Sequence, residues 1–193
     1  MRIGIIGGSF NPPHRLHKEM ALNVLKNNLV DKVIYVPTGD KYAKDGLLDG
    51  NIRLEMLKLM CQDNPLLEVS DYEIKRGASY TYETLDYFKS LYPSDDLYFI
   101  LSTDLILDIM NWKKPEYILS KYKLIGLKRR GVDGVLPEIY SRYPDSLKTY
   151  DFKMEELSST IVRKRIKERK IKELKGYLDK LVLEYIEKYS LYQ

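Results

Sequence analysis

The feature that most constrains the chain is its opening. The short β-branched run Ile3-Gly4-Ile5-Ile6 stops at Gly7-Gly8 and, after Ser9-Phe10-Asn11-Pro12-Pro13, gives way to a stretch of helical periodicity. A run of this kind suits a strand buried on both faces of a parallel sheet. In the stretch that continues to Leu29, Met20, Ala21, Val24 and Leu25 repeat at near-helical spacing. The opening therefore reads as strand, glycine turn, helix. The rhythm recurs: strands are expected over residues 32–36, 66–69, 97–101 and 123–127, and helices over 52–60, 82–91 and 115–119. This alternation predicts an α/β fold, a Rossmann-like open parallel sheet with helices on both faces and residues 3–6 near its centre.

A chain of 193 residues, 44% apolar and 31% charged, supplies one core and a polar surface, so a single domain over 1–193 is expected. Residues 159–193 should form C-terminal helices packed on its edge. Ser158-Ser159-Thr160 can cap a helix that begins near Ile161, and Leu178, Leu181, Val182, Tyr185 and Ile186 give the last helix an apolar stripe. That stripe can face the chain's own core or a second copy, so a homo-oligomer stays open. Residues 153–180 carry ten Lys or Arg against five Asp or Glu. Such a positive field attracts nucleotide phosphates or a nucleic-acid backbone, although long basic side chains on an exposed helix also serve solvation alone. No recognised nucleic-acid motif accompanies it, and no nucleic-acid partner is expected. No apolar run approaches the ~20 residues that span a bilayer, and the first residues do not read as a secretory signal. No membrane partner and a cytoplasmic location are expected. Cys61 is the single cysteine and lies in an apolar-periodic segment, which reads as core filling.

Gly7 to His17 is the sharpest local feature. Glycines directly after the first strand let backbone approach a ligand, and the helix entrance that follows offers free amides to an anion. Both histidines of the protein, His14 and His17, lie in this stretch. Three positions apart, they can face one crevice and donate to phosphate oxygens. A metal pair, which would lack an evident third ligand, and two packing histidines are the competing readings; no dedicated metal site is expected. The stretch is neither a GxGxxG fingerprint nor a P-loop. Near the other end, Ser158-Ser159-Thr160-Ile161-Val162-Arg163 fits a second phosphate cradle or an ordinary helix cap.

Together these two motifs resemble those of the nicotinate-nucleotide adenylyltransferase family, within the wider group of nucleotidyltransferases that share an HxGH-type phosphate motif. The GGxFDPxHxGH opening is matched by Gly7 to His17, and the late SSTxIR-like signature by Ser158 to Arg163. Between them, Pro37-Thr38-Gly39 with Lys44 is similar to the loop after the second strand, and Arg53-Leu54-Glu55-Met56 to the next helix. Ser79 to Leu85 is similar to the YTxxTL segment, and Ser102-Thr103-Asp104 with Trp112 to the GxD and tryptophan elements. The resemblance covers roughly residues 3–166. Asn11, Leu16 and Ser102 depart from the family's Asp, Gly and Gly.

The resemblance implies a nucleotidyltransferase-type fold and transfer of the adenylyl group of ATP to nicotinate mononucleotide in NAD biosynthesis. ATP would lie against Gly7, Gly8, Ser9 and Phe10. His14, His17 and Arg163 would act on its phosphates beside Ser159 and Thr160, and Asp104 would take a ribose. Lys44, Tyr80, Thr81, Thr84 and Trp112 would receive the nicotinate nucleotide, Trp112 by stacking. Arg129 or Arg130 is a further phosphate candidate. Mg²⁺ would be bound mainly through the ATP phosphates. The alternatives are nicotinamide mononucleotide or another phosphorylated metabolite as acceptor, or a non-catalytic adenine-nucleotide sensor.

Overall fold

The computed structural model describes residues 1–41, 46–129, 137–152 and 157–193. The elements in chain order are β1 (Arg2–Gly8), α1 (Arg15–Lys26), β2 (Lys32–Pro37), α2 (Gly50–Cys61), β3 (Leu67–Val69), α3 (Tyr72–Arg76), α4 (Thr81–Leu91) and β4 (Asp96–Ser102). They continue with α5 (Thr103–Leu107), α6 (Pro115–Lys121), β5 (Lys123–Arg129), α7 (Ile139–Arg142), β6 (Leu147–Phe152), α8 (Ser159–Lys167) and α9 (Lys180–Lys188), with 3₁₀ turns at Ile109–Asn111 and Ile171–Leu174.

The six strands form one sheet in the order β3-β2-β1-β4-β5-β6, and every pairing is parallel. β1 is central, with Ile5 opposite Ile34 on β2 and Phe99 on β4. The two-residue period of a strand sends neighbouring side chains to opposite faces. On one face, Ile3, Ile5, Phe99 and Leu101 pack with residues of α4, α5, α6 and α7. On the other, Ile6, Tyr35 and Ile100 pack with residues of α1, α2, α8 and α9. The expected open parallel sheet with helices on both faces is the observed one.

One expectation needs correction, and two elements were not foreseen. Residues 159–193 do not close an edge of the sheet: Val162, Ile166, Val182 and Ile186 join the apolar cluster of α1 and α2 on one face. The stripe of α9 is thus covered by the chain's own core. β6 escaped the sequence reading because Leu-Lys-Thr-Tyr-Asp-Phe is a polar edge strand with a single buried residue. α3 escaped because five residues are too few to establish a helical period. Cys61 is buried, and burial pushes its thiol up to about 12, which fits core filling.

In this strand order the chain leaves β1 toward β2 and β3, then returns to its other side to begin β4. The crevice beyond the carboxyl ends of β1 and β4 is the place where an open parallel sheet receives a ligand. Both candidate cavities lie there.

Candidate functional site

The first cavity, of about 320 Å³, lies between the turn after β1 and the start of α8, and the second, of about 430 Å³, between that turn and α3, α4 and the segment through Trp112. Gly7, Gly8 and Ser9 line both. A β-carbon on Gly8 would come within 3.2 Å of the Phe10 ring, so a glycine here lets that ring close over the turn. Phe10 takes a left-handed φ of 46°, which turns its ring inward against Tyr35 and edge-on to His17 at 4.9 Å.

In the first cavity the imidazoles of His14 and His17 stack with centroids 3.7 Å apart. His17 Nδ1 accepts from the backbone N–H of His14 at 3.1 Å. A neutral imidazole has one acceptor and one donor nitrogen, so this contact fixes Nε2 of His17 as the N–H donor. The His17 carbonyl accepts from Tyr35 Oη at 2.8 Å, which holds the residue from the core side. Burial pulls His14 down to about 4. Burial and the neighbouring His14 charge hold His17 well below the usual histidine range. Both rings are therefore neutral near pH 7. His14 Nδ1 is buried with no hydrogen-bond partner among the described residues.

The late segment reaches back to the same turn. Ser159 Oγ donates to the Pro12 carbonyl at 2.8 Å, and Arg163 Nη1 donates to the Asn11 carbonyl at 2.8 Å. Arg163 Nη2 also donates to Thr160 Oγ1 at 3.3 Å. Ser158, Ser159, Thr160 and Arg163 all line the first cavity. α8 thus presents its N-terminal turn and a guanidinium to the space that the histidines face, an arrangement suited to anionic oxygens. Leu16, where the family motif has glycine, is buried in the apolar cluster and forms part of the cavity floor.

The second cavity is lined by Tyr80, Thr81, Thr84 and Trp112, together with Thr38, Glu73, Ser79, Asp108 and Lys113. Trp112 meets Phe99 edge-on at 5.9 Å and Tyr80 is 56% exposed; each leaves part of its ring to the cavity. Thr84 Oγ1 donates to Glu73 Oε1 at 2.6 Å. Burial pushes the Glu73 carboxyl up to about 7, against the pull of the Thr84 hydrogen bond and with a small push from the Glu83 charge.

Arg53 supports both cavities from beneath. Fully buried, it donates to the carbonyls of Leu48, Ser9 and Thr38 at 2.7 to 2.9 Å and pairs with Asp40 at 2.9 Å. Ser9 belongs to the shared wall and Thr38 to the second cavity.

Residues 5–165 match the cytidylyltransferase-like family. The nicotinate-nucleotide adenylyltransferase of Bacillus subtilis is 36% identical over all of this chain and 98% of its own length. A Clostridium tetani protein named probable nicotinate-nucleotide adenylyltransferase is 34% identical over 98% of both chains. Among solved structures, the Plasmodium falciparum nicotinic acid mononucleotide adenylyltransferase complexed with NaAD superposes with a TM-score of 0.84 at 26% identity, covering 99% of this chain and 97% of that one. The chain belongs to the nicotinate-nucleotide adenylyltransferase family.

The residues that suggested this family from sequence fall into two groups in space. Gly7, Gly8, Ser9, Phe10, His14, His17, Ser159, Thr160 and Arg163 meet around the first cavity, and Tyr80, Thr81, Thr84 and Trp112 around the second. Asp104 is exposed on the first turn of α5 and lines neither, although its neighbour Leu105 lines both. Lys44 and Arg130 lie outside the described residues, and Arg129 ends β5. Sequence reasoning missed Glu73. Its helix is too short to show a face, and its only signal is nearness to the Ser79–Leu85 segment. Arg53 entered the sequence reading only as the start of a helix similar to the family's, and its hydrogen bonds to three carbonyls were not foreseen.

Proposed function

We propose that this member of the family transfers the adenylyl group of ATP to nicotinate mononucleotide, giving nicotinate adenine dinucleotide and pyrophosphate. The observation that carries the reading is the pair of cavities that meet at Gly7-Gly8-Ser9, one rich in phosphate-type donors and the other in aromatic and hydroxyl groups. ATP takes the first, with its phosphates against His14, His17, Arg163 and the start of α8, and Asp104 takes a ribose hydroxyl at the mouth. The mononucleotide takes the second, with its ring covered by Trp112 and its carboxylate among Tyr80, Thr81 and Thr84. Lys44 is assigned to the same nucleotide's phosphate.

The chemistry needs no protein nucleophile. A phosphate oxygen of the mononucleotide attacks the α-phosphorus of ATP, a new P–O bond forms, and the bond to the bridging oxygen of pyrophosphate breaks. The glycine wall lets the two phosphates approach in line, where alignment supplies much of the rate. The Nε2–H of His17 and the guanidinium of Arg163 donate to oxygens on which charge builds. No group of three His, Cys, Asp or Glu side chains is placed to hold a metal among the described residues, and the first cavity offers donors suited to phosphate oxygens. These residues therefore fit a magnesium ion carried on the ATP phosphates, which would neutralise charge on the departing pyrophosphate. A cytoplasmic site of action accompanies the reading, because both substrates are intracellular metabolites.

Pyrophosphate formation, measured with ATP, magnesium and in turn nicotinate mononucleotide, nicotinamide mononucleotide and phosphopantetheine, tests the reading. The highest kcat/KM is expected with nicotinate mononucleotide. An equal or higher value with either competitor refutes the assignment, and nucleotide binding without pyrophosphate release would make the chain a sensor.

A further inference from the structure

In the second cavity one hydrogen-bond chain can be wired in two ways. Thr84 Oγ1 lies 2.6 Å from Oε1 of Glu73 and 3.1 Å from Oγ of Ser79, and all three residues line the cavity. Glu73 and Thr84 are 8% and 2% exposed. A threonine hydroxyl has one hydrogen to give and two lone pairs to offer. When Glu73 is ionised it only accepts, so the Thr84 hydrogen is committed to it and Thr84 meets a ligand as an acceptor. When Glu73 is protonated it donates to Thr84, and the threonine hydrogen is released to another acceptor. A pyridine carboxylate needs donors around it, whereas a carboxamide brings an N–H of its own.

We propose that Glu73 is a positioning residue that sets the acid-versus-amide preference of the site: protonated, it makes Thr84 a donor to a pyridine carboxylate; ionised, it makes Thr84 an acceptor and repels that carboxylate. The inference rests on the reading of the second cavity as the nicotinate-nucleotide side.

The surroundings keep this carboxyl poised. Burial has already raised it to about 7, within reach of a neighbouring charge. No lysine or arginine pairs with Glu73 among the described residues. On its own helix, Lys75 is paired with Asp71 and Arg76 with Glu83. Glu83, on α4, adds negative charge, and Asp108 and Lys113 face the cavity from the segment around Trp112. From the loop after β2 come the Thr38 hydroxyl and the Asp40 carboxylate, the latter held by Arg53, while Lys41 runs along Gly77. The docking of α3 on that loop is tight. A β-carbon on Gly39 would sit 2.4 Å from the Glu73 carbonyl oxygen and 2.2 Å from that of Gly77, so only glycine permits the approach that sets Glu73 beside Thr84. An arriving carboxylate adds a negative charge to this enclosed space, and the favourable response is proton uptake by Glu73.

The test is the ratio of kcat/KM for nicotinate mononucleotide to that for nicotinamide mononucleotide, measured from pH 6 to pH 8.5. Both carry the same phosphate and meet the same ATP, so the ratio cancels the ionisation of phosphates and of His14 and His17. The nicotinate carboxyl is ionised throughout. In the wild type the ratio is expected to fall about tenfold or more across this range, since loss of one proton has a limiting slope of one decade per pH unit. In Glu73→Gln the ratio is expected to be flat, because an amide has no proton to lose. Calorimetry in buffers of different ionisation enthalpy should show proton uptake in excess of that for nicotinamide mononucleotide when nicotinate mononucleotide binds the wild type, with the excess abolished in Glu73→Gln. A wild-type ratio constant over the range, or the same slope in Glu73→Gln, overturns the inference. If nicotinate mononucleotide is turned over with a flat ratio, this inference alone falls; if neither mononucleotide supports pyrophosphate formation, the functional reading falls and takes it along.

Discussion

The first cavity is stitched from segments far apart in the chain, with Ser159 donating to Pro12 across 147 positions, whereas the second draws on residues between Gly7 and Lys113. They also bury opposite kinds of group. The first holds two bases in their neutral form, and the second holds an acid that burial has brought near neutrality. Burial thus favours the uncharged form of each of these groups, but an arriving anion acts differently in the two cavities. Phosphate oxygens can accept from the Nε2–H of His17 while its ring stays neutral, because its Nδ1 is held by the His14 N–H; a carboxylate beside Glu73 is tolerated only as the acid stays protonated.

Arg53 holds the carbonyl of Ser9 in the shared wall and that of Thr38 in the second cavity, and the largest expected effect comes from removing it. Arg53→Ala deletes the donors to three carbonyls and leaves Asp40 unpaired. Each carbonyl left without its charged donor costs about 1–3 kcal/mol, whereas the half-exposed Asp40 carboxylate is left to solvent. Chemical denaturation should show a loss of that order, with affinity for both nucleotides reduced together. A variant that loses one nucleotide and keeps the other would show that the two cavities are supported independently.

The opposite burial of base and acid predicts opposite pH responses. The folded pKa of His14, about 4, lies below its ordinary 6.5, so its contribution is present above pH 6.5 and is lost as pH falls through 4. The folded pKa of Glu73, about 7, lies above its ordinary 4.5, so its contribution is present below pH 4.5 and is lost as pH rises through 7. Each is worth up to about 3 kcal/mol. Urea unfolding of Glu73→Gln against wild type isolates the second: relative to wild type, the variant should gain stability between pH 4.5 and pH 8. A difference independent of pH would mean that the carboxyl titrates alike in the folded and unfolded chain.

Turnover separates the cavities further. His17→Ala and Arg163→Ala both remove donors from the first. Each should lower kcat for pyrophosphate formation on the order of 10²-fold, about 2.7 kcal/mol of differential stabilisation, with a smaller effect on ATP affinity and an unchanged circular dichroism spectrum. Near wild-type turnover in folded His17→Ala would mean that the imidazole serves packing against Phe10 rather than the phosphates.

These contrasts also explain what the sequence revealed. The strand, turn and helix at the start were legible because apolar period and glycine position belong to neighbouring residues. His14, His17 and Arg163 were legible because they sit in a compact opening motif and a compact late one. Glu73 and Arg53 act through contacts with other segments: one is an acid on a helix of five residues, the other an arginine whose partners lie 5, 13, 15 and 44 positions away. Neither local period nor local composition encodes such partners. β6 was hidden for a related reason, since its pairing with β5 is a property of the sheet and not of its own polar sequence.

The smallest expected effect tests how far the first cavity extends into the chain's last residues. Tyr192 Oη donates to Asn11 Oδ1 at 2.8 Å, the same oxygen accepts from Leu48 N–H at 3.3 Å, and Asn11 Nδ2 donates to the Gly46 carbonyl at 2.7 Å. The side chain of Asn11 is thereby fixed on both sides while its carbonyl receives Arg163. This arrangement also uses the departure from the family's aspartate, because a carboxylate could not donate to Gly46. Tyr192→Phe keeps the ring and removes one hydrogen bond, at a cost of about 1 kcal/mol. Since Asn11 adjoins the first cavity and Tyr192 touches no residue of α3 or α4 among the contacts described, the KM for ATP should rise about fivefold, which is what that energy amounts to, and the KM for nicotinate mononucleotide should stay within twofold of wild type, roughly the limit of a change too small to count as one lost interaction. Parallel rises in the two constants would show that the C-terminal tyrosine supports the shared glycine wall. No change in either would show that Arg163 and Ser159 hold the turn without it.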